Sequence, residues 1–423
     1  MNAKVWIAVA AVIGLVVGGV IGYIVAPAPT PTGVTGLQGD IKIGYLEDIS
    51  GSAAFWGAEA RVAAETALNE VNEMLNATGA PWRLKLLVED TQSKPEVALE
   101  KLKALHAQGV KIFIGFGTSA EVRMCKPYAD TNHILLISYG STASDLAVDD
   151  WVIRLMPIEA TSDAPAVARL AIEQGVKYLI PVWRGDAWGD AVKSSLEDIF
   201  TSLGGTVLEG IRYSPEATEF SAEAATLNDK VQDAISNYGA DKVGVYLVTF
   251  EEIKSFYMEL LKYNPIDWGI HWYSFDTALA EWVIDTPEIA DFYNRTQIIC
   301  LSKIATRISK YLELQKIMEQ KLGRRATLYG INGYDMVWLV AQALMVTQTY
   351  DPALIKQAIL KLGEVYSGAA GNAPFNDVGD RIARNVALLR VVVENGDYVW
   401  REVGYWDYAT DSITWYPKPV PYM

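Results

Sequence analysis

Two short turns in the sequence combine glycine with hydroxyl side chains directly after an apolar run. The first spans residues 112–119 (IFIGFGTS) and ends at Ser119, and the second spans residues 134–142 (ILLISYGST) and ends at Thr142. Each pattern is typical of a buried strand that leads into a helix. The first turn of a helix exposes unpaired N–H groups and partial positive charge, so it can hold an anion. Because the two turns follow successive strands, we expect them to converge on one carboxylate, such as that of an amino acid.

The composition indicates a large globular protein. The chain has 423 residues, a hydrophobic content of 51% and a net charge of −15, from 36 basic and 51 acidic residues. A chain of this length predicts two or three lobes rather than one core. A nucleic-acid partner is not expected, because phosphate contacts need clustered Lys and Arg and no such stripe occurs.

Motifs for catalysis, cofactor binding or metal binding do not stand out. Gly115 and Gly117 lack the third glycine of a dinucleotide-binding loop, and no P-loop lysine follows the turn. The three histidines are scattered and have no metal-ligand spacing with the two cysteines. We therefore expect a binding protein without a cofactor or metal, and not an enzyme. Cys125 and Cys300 are expected to be unpaired thiols, with one disulfide as the alternative.

The N-terminal part predicts a membrane anchor and a tether. Residues 5–26 carry no charge, and at about 1.5 Å per residue this run is long enough to cross a bilayer. Lys4 precedes it, which favours a cytoplasmic N-terminus. We predict that residues 1–26 form an uncleaved signal anchor, with a cleaved signal peptide as the alternative. Residues 27–39 are rich in Pro, Thr and Gly and predict an extended stalk. The globular part would then lie outside the cytoplasm at the cell membrane.

The body of the chain alternates short apolar strands with amphipathic helices, as in parallel sheets covered on both faces. This alternation restarts after residue 157. The predicted fold class is α/β, with two doubly wound, Rossmann-like lobes that follow the N-terminal transmembrane helix. We assign residues 40–157 and about 300–372 to lobe 1, and residues 158–299 and about 373–423 to lobe 2. Ligands of such sheets bind at the carboxyl ends of the strands, which predicts a site in the cleft between the lobes.

A set of short motifs between about residue 40 and residue 408 resembles the type I periplasmic binding proteins, in particular their leucine/isoleucine/valine-binding branch. The motifs are IGYLEDISG (43–51), FWG (55–57), VEDTQS (88–93), GFGTS (115–119), SYGSTA (138–143), RGDAWG (184–189), FS (220–221) and PFNDVG (374–379). The resemblance implies a Venus flytrap, in which two lobes joined by three crossover strands close on a ligand. It also implies a solute-binding subunit of an ABC importer, with a membrane permease as its partner.

Four polar positions match residues that bind an amino acid in that family. Ser119 and Thr142 match the hydroxyl residues that hold the ligand carboxylate, and Gly140 matches a position whose carbonyl accepts from the ammonium group. Asp276 matches the acidic residue of lobe 2 that binds the ammonium group. The alternative role for Ser119, Thr142 and Asp276 is the capping of a helix N-terminus.

Three aromatic positions complete the predicted site. Trp56 matches a residue near the side-chain pocket, and Trp188 and Phe250 match aromatic positions of lobe 2 that are often Tyr in the family. These rings alter the pocket volume and remove phenolic hydroxyls, so the ligands of the branched-chain binders are not directly implied. A flat or larger apolar group stacked between the rings fits equally well. Ordinary packing is the alternative for each ring.

The expected function is therefore that of an extracytoplasmic solute-binding protein of an ABC importer. It would bind an amino acid, or a similar small carboxylate or amide, between two closing lobes. The alternative is a ligand-sensing or surface-assembly protein that retains the flytrap fold, since a fold alone does not fix function.

Overall fold

The structure, a computed structural model, describes residues 36–275, 279, 281–303, 308–372 and 374–422. Its helices are α1 (Ala54–Ala77), α2 (Pro95–His106), α3 (Ser119–Asn132), α4 (Asp163–Glu173), α5 (Ala187–Ser202), α6 (Ser221–Tyr238), α7 (Ile253–Leu260), α8 (Glu281–Asp285), α9 (Pro287–Thr296), α10 (Ser309–Leu322), α11 (Leu328–Thr347) and α12 (Pro352–Gly363). Its strands are β1 (Gly39–Glu47), β2 (Trp82–Asp90), β3 (Ile112–Gly115), β4 (Leu135–Ser138), β5 (Val152–Arg154), β6 (Tyr178–Arg184), β7 (Thr206–Val207), β8 (Ile211–Tyr213), β9 (Val243–Val248), β10 (His271–Ser274), β11 (Ile299–Lys303), β12 (Ser367–Gly368), β13 (Gly371–Asn372), β14 (Val386–Glu394), β15 (Asp397–Asp407) and β16 (Ser412–Pro421).

The first lobe is built on a parallel sheet with the strand order β2-β1-β3-β4-β5. Strands β3 and β4 are buried along their whole length, as expected for a sheet covered on both faces. Helix α11, which comes late in the chain, packs against α1 in the core of this lobe. A Cβ at Gly333 would lie 2.4 Å from the Ala60 carbonyl oxygen, so glycine permits the close approach of the two helices.

The second lobe is built on a mixed sheet with the order β16-β15-β14-β11-β10-β9-β6-β7, and β8 also pairs with β6. Strands β6, β9, β10 and β11 are parallel. Strands β14, β15 and β16 extend the sheet in antiparallel order. The two-lobed α/β architecture is thus confirmed, but lobe 2 is not purely doubly wound, because three of the nine strands in its sheet pair in antiparallel order.

Two details of lobe 2 concern its short strands and its antiparallel part. Residues 206–213 form two separate short strands, β7 and β8. A Cβ at Gly210 would lie 2.0 Å from the Pro181 carbonyl oxygen, so the chain passes close to β6 between them. Strands β14 and β15 form a hairpin around Asn395 and Gly396, and both residues have positive φ, as a type I′ turn requires. The third antiparallel strand, β16, was not predicted.

The chain passes between the lobes three times: after β5, between β11 and α10, and between α12 and β14. The first and third passages are fastened together near the end of β5. The buried Arg154 Nε donates to Asp380 Oδ1 at 2.5 Å, and the backbone N–H of Arg381 donates to the Arg154 carbonyl at 3.0 Å. The Arg381 guanidinium donates to the Asn332 side-chain oxygen at 3.0 Å, which ties this point to helix α11.

The predicted anchor, residues 1–26, and the stalk as far as residue 35 lie outside the described residues. Within the part of the chain that the structure describes, no helix combines the length and the apolar character needed to span a bilayer. Cys125 in α3 and Cys300 in β11 are both buried and are not joined by a disulfide, as expected from the sequence.

Candidate ligand-binding site

The turn between β3 and α3 is fixed by a capping box. Thr118, not Ser119, is the N-cap residue: its Oγ1 accepts from the backbone N–H of Glu121 at 3.3 Å, and the Glu121 side chain accepts from the Thr118 N–H at 3.1 Å. This pattern satisfies two N–H groups of the helix reciprocally. The N-capping alternative for Ser119 is therefore wrong, and its hydroxyl is available for other bonds.

The Ser119 hydroxyl joins the two predicted turns. Its Oγ accepts from the backbone N–H groups of Thr142 at 3.2 Å and Ala143 at 3.1 Å, and from the Ser141 hydroxyl at 3.1 Å. Because these donors occupy its lone pairs, the proton of Ser119 remains for donation to a further acceptor.

Gly140 and Ser138 hold the second turn against the first. Ser138 Oγ accepts from the N–H of Gly140 at 3.2 Å and donates to the carbonyl of Phe116 at 2.6 Å. A Cβ at Gly140 would lie 2.3 Å from the Gly117 carbonyl oxygen, so only glycine fits here without a shift of the backbone. The two turns therefore converge, as the sequence predicts.

Thr142 carries an unsatisfied polar atom. Its side chain is buried, with 1% exposure, and its Oγ1 has no hydrogen-bond partner among the described residues. The backbone of Thr142 is held in place, because its carbonyl accepts from the N–H of Glu159 at 3.0 Å. A buried hydroxyl without a partner costs about 1–3 kcal/mol. The wall formed by Thr142 therefore favours a ligand that carries a polar group.

Aromatic rings from both lobes face these turns. Trp56 of α1 contacts Phe250, which follows β9, with ring centroids 5.0 Å apart. Trp188, in the first turn of α5, lies 4.9 Å from the same Phe250 ring. Tyr329 of α11 lies 5.9 Å from Trp56. The rings form a wall that continues from lobe 1 to lobe 2, in the range of distances at which aromatic pairs attract one another.

Six of the seven predicted site residues line one cavity at this place, and the structure brings them together from both lobes. They are Trp56, Ser119, Gly140, Thr142, Trp188 and Phe250. The seventh, Asp276, lies outside the described residues. The cavity is also lined by four residues that the sequence analysis did not select: Ala53, Gly117, Thr118 and Tyr329. Gly117 and Thr118 belong to the first turn itself, so their place in the cavity could have been predicted from their position beside Ser119. No sequence pattern pointed to Tyr329.

The cavity is narrow because the lobes are closed on each other. It measures about 20 Å³ as bounded by the described residues, which is room for about one water molecule. Pockets for small-molecule ligands usually measure about 300 Å³ or more. A ligand with a side chain therefore needs the Trp56 and Phe250 rings to separate.

Arg184 at the end of β6 fixes the lobe 2 part of the wall. Its guanidinium donates to Asp186 at 2.5 Å and to Glu252 at 2.8 Å, and lies 4.6 Å from the centre of the Phe250 ring. Burial alone would lower the pKa of Arg184, but Glu252 and Asp186 raise it above its ordinary value. Asp186 in turn caps α5 by accepting from the N–H of Trp188 at 3.1 Å. Arg184 was part of the RGDAWG motif, but its role in positioning both rings was not predicted.

Buried carboxyl groups lie directly beneath the first turn. Asp48 Oδ2 accepts from the N–H of Gly117 at 3.2 Å, and Glu47 Oε1 accepts from the Tyr139 hydroxyl at 3.0 Å. Burial raises the pKa of Glu47 to about 8 and that of Asp48 to about 6, and it also raises the pKa of Glu121. In their protonated forms these groups place little negative charge behind an anion site.

Two closed lobes, a pair of hydroxyl-bearing turns and an aromatic wall across the cleft define a two-lobed ligand-binding protein. The chain matches the family described as periplasmic binding protein over residues 40–248. The chain is therefore similar in sequence and in fold to the periplasmic binding proteins.

Relatives of the chain include archaeal and animal proteins. An uncharacterized protein of Methanocaldococcus jannaschii is 29% identical over 89% of this chain and 91% of its own length. Subunit 1 of the gamma-aminobutyric acid type B receptor of Caenorhabditis elegans is 22% identical over 87% of this chain. The match spans 43% of that receptor subunit, less than half of its length.

Solved structures with the same fold cover nearly the whole described chain. The leucine-binding protein LivK of Thermotoga maritima has a TM-score of 0.70 and 19% identity, over 85% of this chain and 97% of that one. A solute-binding protein of an ABC transporter from Rhodopseudomonas palustris, in complex with 3,4-dihydroxybenzoic acid, has a TM-score of 0.70 and 16% identity. That match covers 87% of this chain and 98% of the other.

Proposed function

We propose that this protein is an extracytoplasmic solute-binding protein that captures a small carboxylate between its lobes and delivers it to an ABC permease. The observation that carries the proposal is the buried Thr142 hydroxyl, which lacks a partner among the described residues and lies beside Ser119 at the start of α3. Together these groups offer hydrogen bonds to a carboxylate, and each charge-assisted bond contributes about 1.5–3 kcal/mol.

The ligand class is an amino acid or an aromatic acid, in each case with an apolar group that packs against the rings. The wall of Trp56, Trp188 and Phe250 supports this class, because aromatic rings bind flat and branched apolar groups. The names of two structural relatives, a leucine-binding protein and a complex with 3,4-dihydroxybenzoic acid, agree with this range. For an amino acid, Asp276 would be the counter-charge of the ammonium group.

The location follows from the N-terminal sequence. The uncharged run of residues 5–26 and the Pro-rich stalk support a protein that is anchored in the cell membrane, with both lobes outside the cytoplasm. In that position the lobes can reach a permease in the same membrane.

A thermal-shift screen of the full chain in detergent tests the binding function. Amino acids, amides and aromatic acids are added in turn, and a ligand of the folded state raises the Tm by mass action. Thr142→Ala should abolish the shift, whereas Thr226→Ala, an exposed threonine that bonds a helix carbonyl, should leave it intact. A full shift in Thr142→Ala would show that the site is elsewhere.

Asp276→Ala separates the two ligand classes. If the ligand is an amino acid, this variant should lose most of the Tm shift, because the ammonium group loses its counter-charge. If the ligand is an aromatic acid without an ammonium group, the shift should persist. Retention of the shift for an amino acid would contradict the role proposed for Asp276.

Ligand sensing is the second candidate function, and the similarity to a gamma-aminobutyric acid type B receptor subunit favours it. Uptake of the bound ligand distinguishes the two. Cells that express the chain with its permease should accumulate labelled ligand if the protein serves import, and should bind it without accumulation if it serves sensing.

A further inference from the structure

A second cavity lies in lobe 2 at the end of the sheet that is remote from the cleft. It is lined by the residues where β10 begins, His271 and Trp272, and by Ile299 at the start of β11. The candidate ligand site lies instead at the carboxyl ends of β6 and β9. The remote cavity measures about 320 Å³, which is within the range of small-molecule pockets.

The lining of this cavity is cationic although the protein is acidic. Arg295 and Arg390 line it, and no Asp or Glu is among its described lining residues. His271 also lines it, and burial lowers the pKa of its imidazole, which favours the neutral form. The whole chain has a net charge of −15. A cavity that concentrates positive charge on such a background attracts anions.

Arg390 lacks a counter-charge. One terminal nitrogen of its guanidinium donates to Gln297 Oε1 at 2.8 Å. Its Nε is buried and has no hydrogen-bond partner among the described residues, and none of their carboxylates forms an ion pair with it. Burial lowers the pKa of Arg390, because removal from water disfavours the charged guanidinium. A partly buried guanidinium with a buried, unpaired Nε and no counter-charge is unfavourable, and an anion would relieve this.

The arginine opposite Arg390 in the sheet, unlike Arg390, is paired with a carboxylate. Arg401 of β15 pairs in register with Arg390 of β14. The Arg401 guanidinium bonds the carboxylate of Glu394, with its Nε at 2.7 Å from Glu394 Oε1. Of these two neighbouring arginines, one has its anion within the described chain and the other does not.

Further donors surround the same space. Arg295, in the last turn of α9, makes a long ion pair with Asp291, at 3.5 Å between partners that are both about half exposed. Such a pair is weak and leaves most of the guanidinium available. Gln174 Oε1 accepts from the Tyr273 hydroxyl at 2.7 Å, so its amide N–H groups remain as donors. Ile266, Ile270 and Trp415 add apolar surface to the lining.

We propose that this cavity is a second ligand site, which binds a small organic oxyanion through Arg390 and Arg295. The guanidinium fork matches the two oxygens of a carboxylate or a phosphate. The volume exceeds that of an inorganic ion, and the apolar lining fits an organic group attached to the anion. This site is independent of the proposed transport ligand in the cleft.

The histidines of the chain provide a local probe. There are three, and only His271 lines the remote cavity. His106 contacts Tyr128, and His133 lies against Trp151, both in lobe 1.

An NMR titration of the full chain tests the proposal. The ring carbon ε1 of the histidines is labelled with ¹³C, and a His271→Gln variant assigns the His271 signal. Phenyl phosphate and benzoate are the two anionic probes, and benzyl alcohol is the uncharged control.

Saturable movement of the His271 signal by phenyl phosphate or benzoate, with little movement by benzyl alcohol, is the expected result. The anion that binds more tightly shows whether the site prefers a phosphate or a carboxylate. Arg390→Gln and Arg295→Gln should each weaken binding about tenfold or more, since a charge-assisted bond contributes about 1.5–3 kcal/mol. Arg401→Gln, the matched control, should bind as the unaltered protein does. The two arginine variants test the site separately, so a folding defect in one leaves the other to decide.

Three results would overturn the proposal: no movement of the His271 signal at millimolar anion, equal movement by benzyl alcohol, or unchanged binding in both Arg390→Gln and Arg295→Gln. The titration is repeated in Thr142→Ala, which removes a residue of the cleft site. A full thermal shift in Thr142→Ala would overturn the cleft site and leave the His271 titration unaffected, so the two proposals fail separately.

Discussion

The hydroxyl oxygen of Ser119 lies 3.2 Å from the backbone nitrogen of Thr142, and this hydrogen bond fastens two turns that belong to different strand ends. One side chain thus closes the floor of the cleft. Because the same oxygen also accepts from the N–H of Ala143 at 3.1 Å, its removal leaves two buried N–H groups unpaired.

Ser119→Ala should therefore lower both stability and affinity. We expect a loss of about 1–3 kcal/mol in the free energy of unfolding, because buried donors lose their acceptor. Urea unfolding measures this loss, and ligand titration measures the affinity. Ser202→Ala, which removes an exposed hydroxyl bonded to the Ile199 carbonyl, is the matched control. Equal stability of the two variants would contradict the linking role of Ser119.

The contact between Trp56 and Phe250 should hold the lobes closed. We expect Phe250→Ala to shift the protein toward an open form, with a coupling of about 0.5–1.5 kcal/mol to Trp56→Ala in a double-mutant cycle. Small-angle scattering reports the opening as an increase in the radius of gyration. The control is Tyr178→Ala, which breaks the stacked Tyr178–Tyr238 pair within lobe 2. An equal increase in both variants would mean that the opening is not specific to the interlobe contact.

Arg184→Met should destabilise lobe 2 and loosen its aromatic wall. The variant leaves Asp186 and Glu252 without their cation, and the loss of one partner of a buried ion pair costs about 3–5 kcal/mol. The double variant Arg184→Met/Glu252→Gln should recover part of the stability, because it removes one of the two orphaned charges. Arg212→Gln, at an exposed pair with Asp190, should cost less than about 1 kcal/mol. Thermal unfolding of the unaltered protein and the three variants measures these differences. An equal loss of stability in Arg184→Met and Arg212→Gln would refute the prediction.

The buried carboxyl groups beneath the first turn should make stability fall as pH rises. Burial raises the pKa of Glu47 to about 8 and that of Asp48 to about 6, so the folded protein holds protons that the unfolded chain releases. Their contribution to stability is complete below the ordinary carboxyl pKa of about 4 and is lost as pH rises through about 6 and about 8. Urea unfolding between about pH 5 and pH 9 should show this decrease.

Glu47→Gln identifies the group responsible for the upper part of that decrease. Gln keeps an oxygen that can accept from the Tyr139 hydroxyl but has no proton to lose, so the decrease near pH 8 should become smaller. Glu65→Gln, at an exposed pair with Arg61, should leave the pH profile unchanged. A profile that is already flat in the unaltered protein would contradict the assignment.

Much of the fold could be predicted because its strands have a simple pattern. Strands β3 and β4 are short and apolar and follow amphipathic helices, which is the pattern of a parallel sheet. The strand β16 was missed because SITWYPKPVP contains three prolines and is mostly exposed. Proline is tolerated there because β16 lies at the edge of its sheet.

The site could be predicted only in part. Adjacent hydroxyls at Thr118 and Ser119 are equally good N-caps in sequence, and only the backbone geometry assigns the cap to Thr118. The role of Arg184 depends on contacts with Glu252, distant in sequence, which no local pattern reveals. The remote cavity combines residues from five separate parts of the chain, between Gln174 and Trp415.

The pairing of α1 with α11 has a consequence for the synthesis of the protein on the ribosome. Helix α1 ends at Ala77, and the helix that covers it begins only at Leu328, after most of lobe 2 has been made. At about 5–20 residues per second this interval lasts on the order of tens of seconds. During that time the alanine face of α1 has no partner helix, so the nascent first lobe is exposed to aggregation and is a natural client for a chaperone.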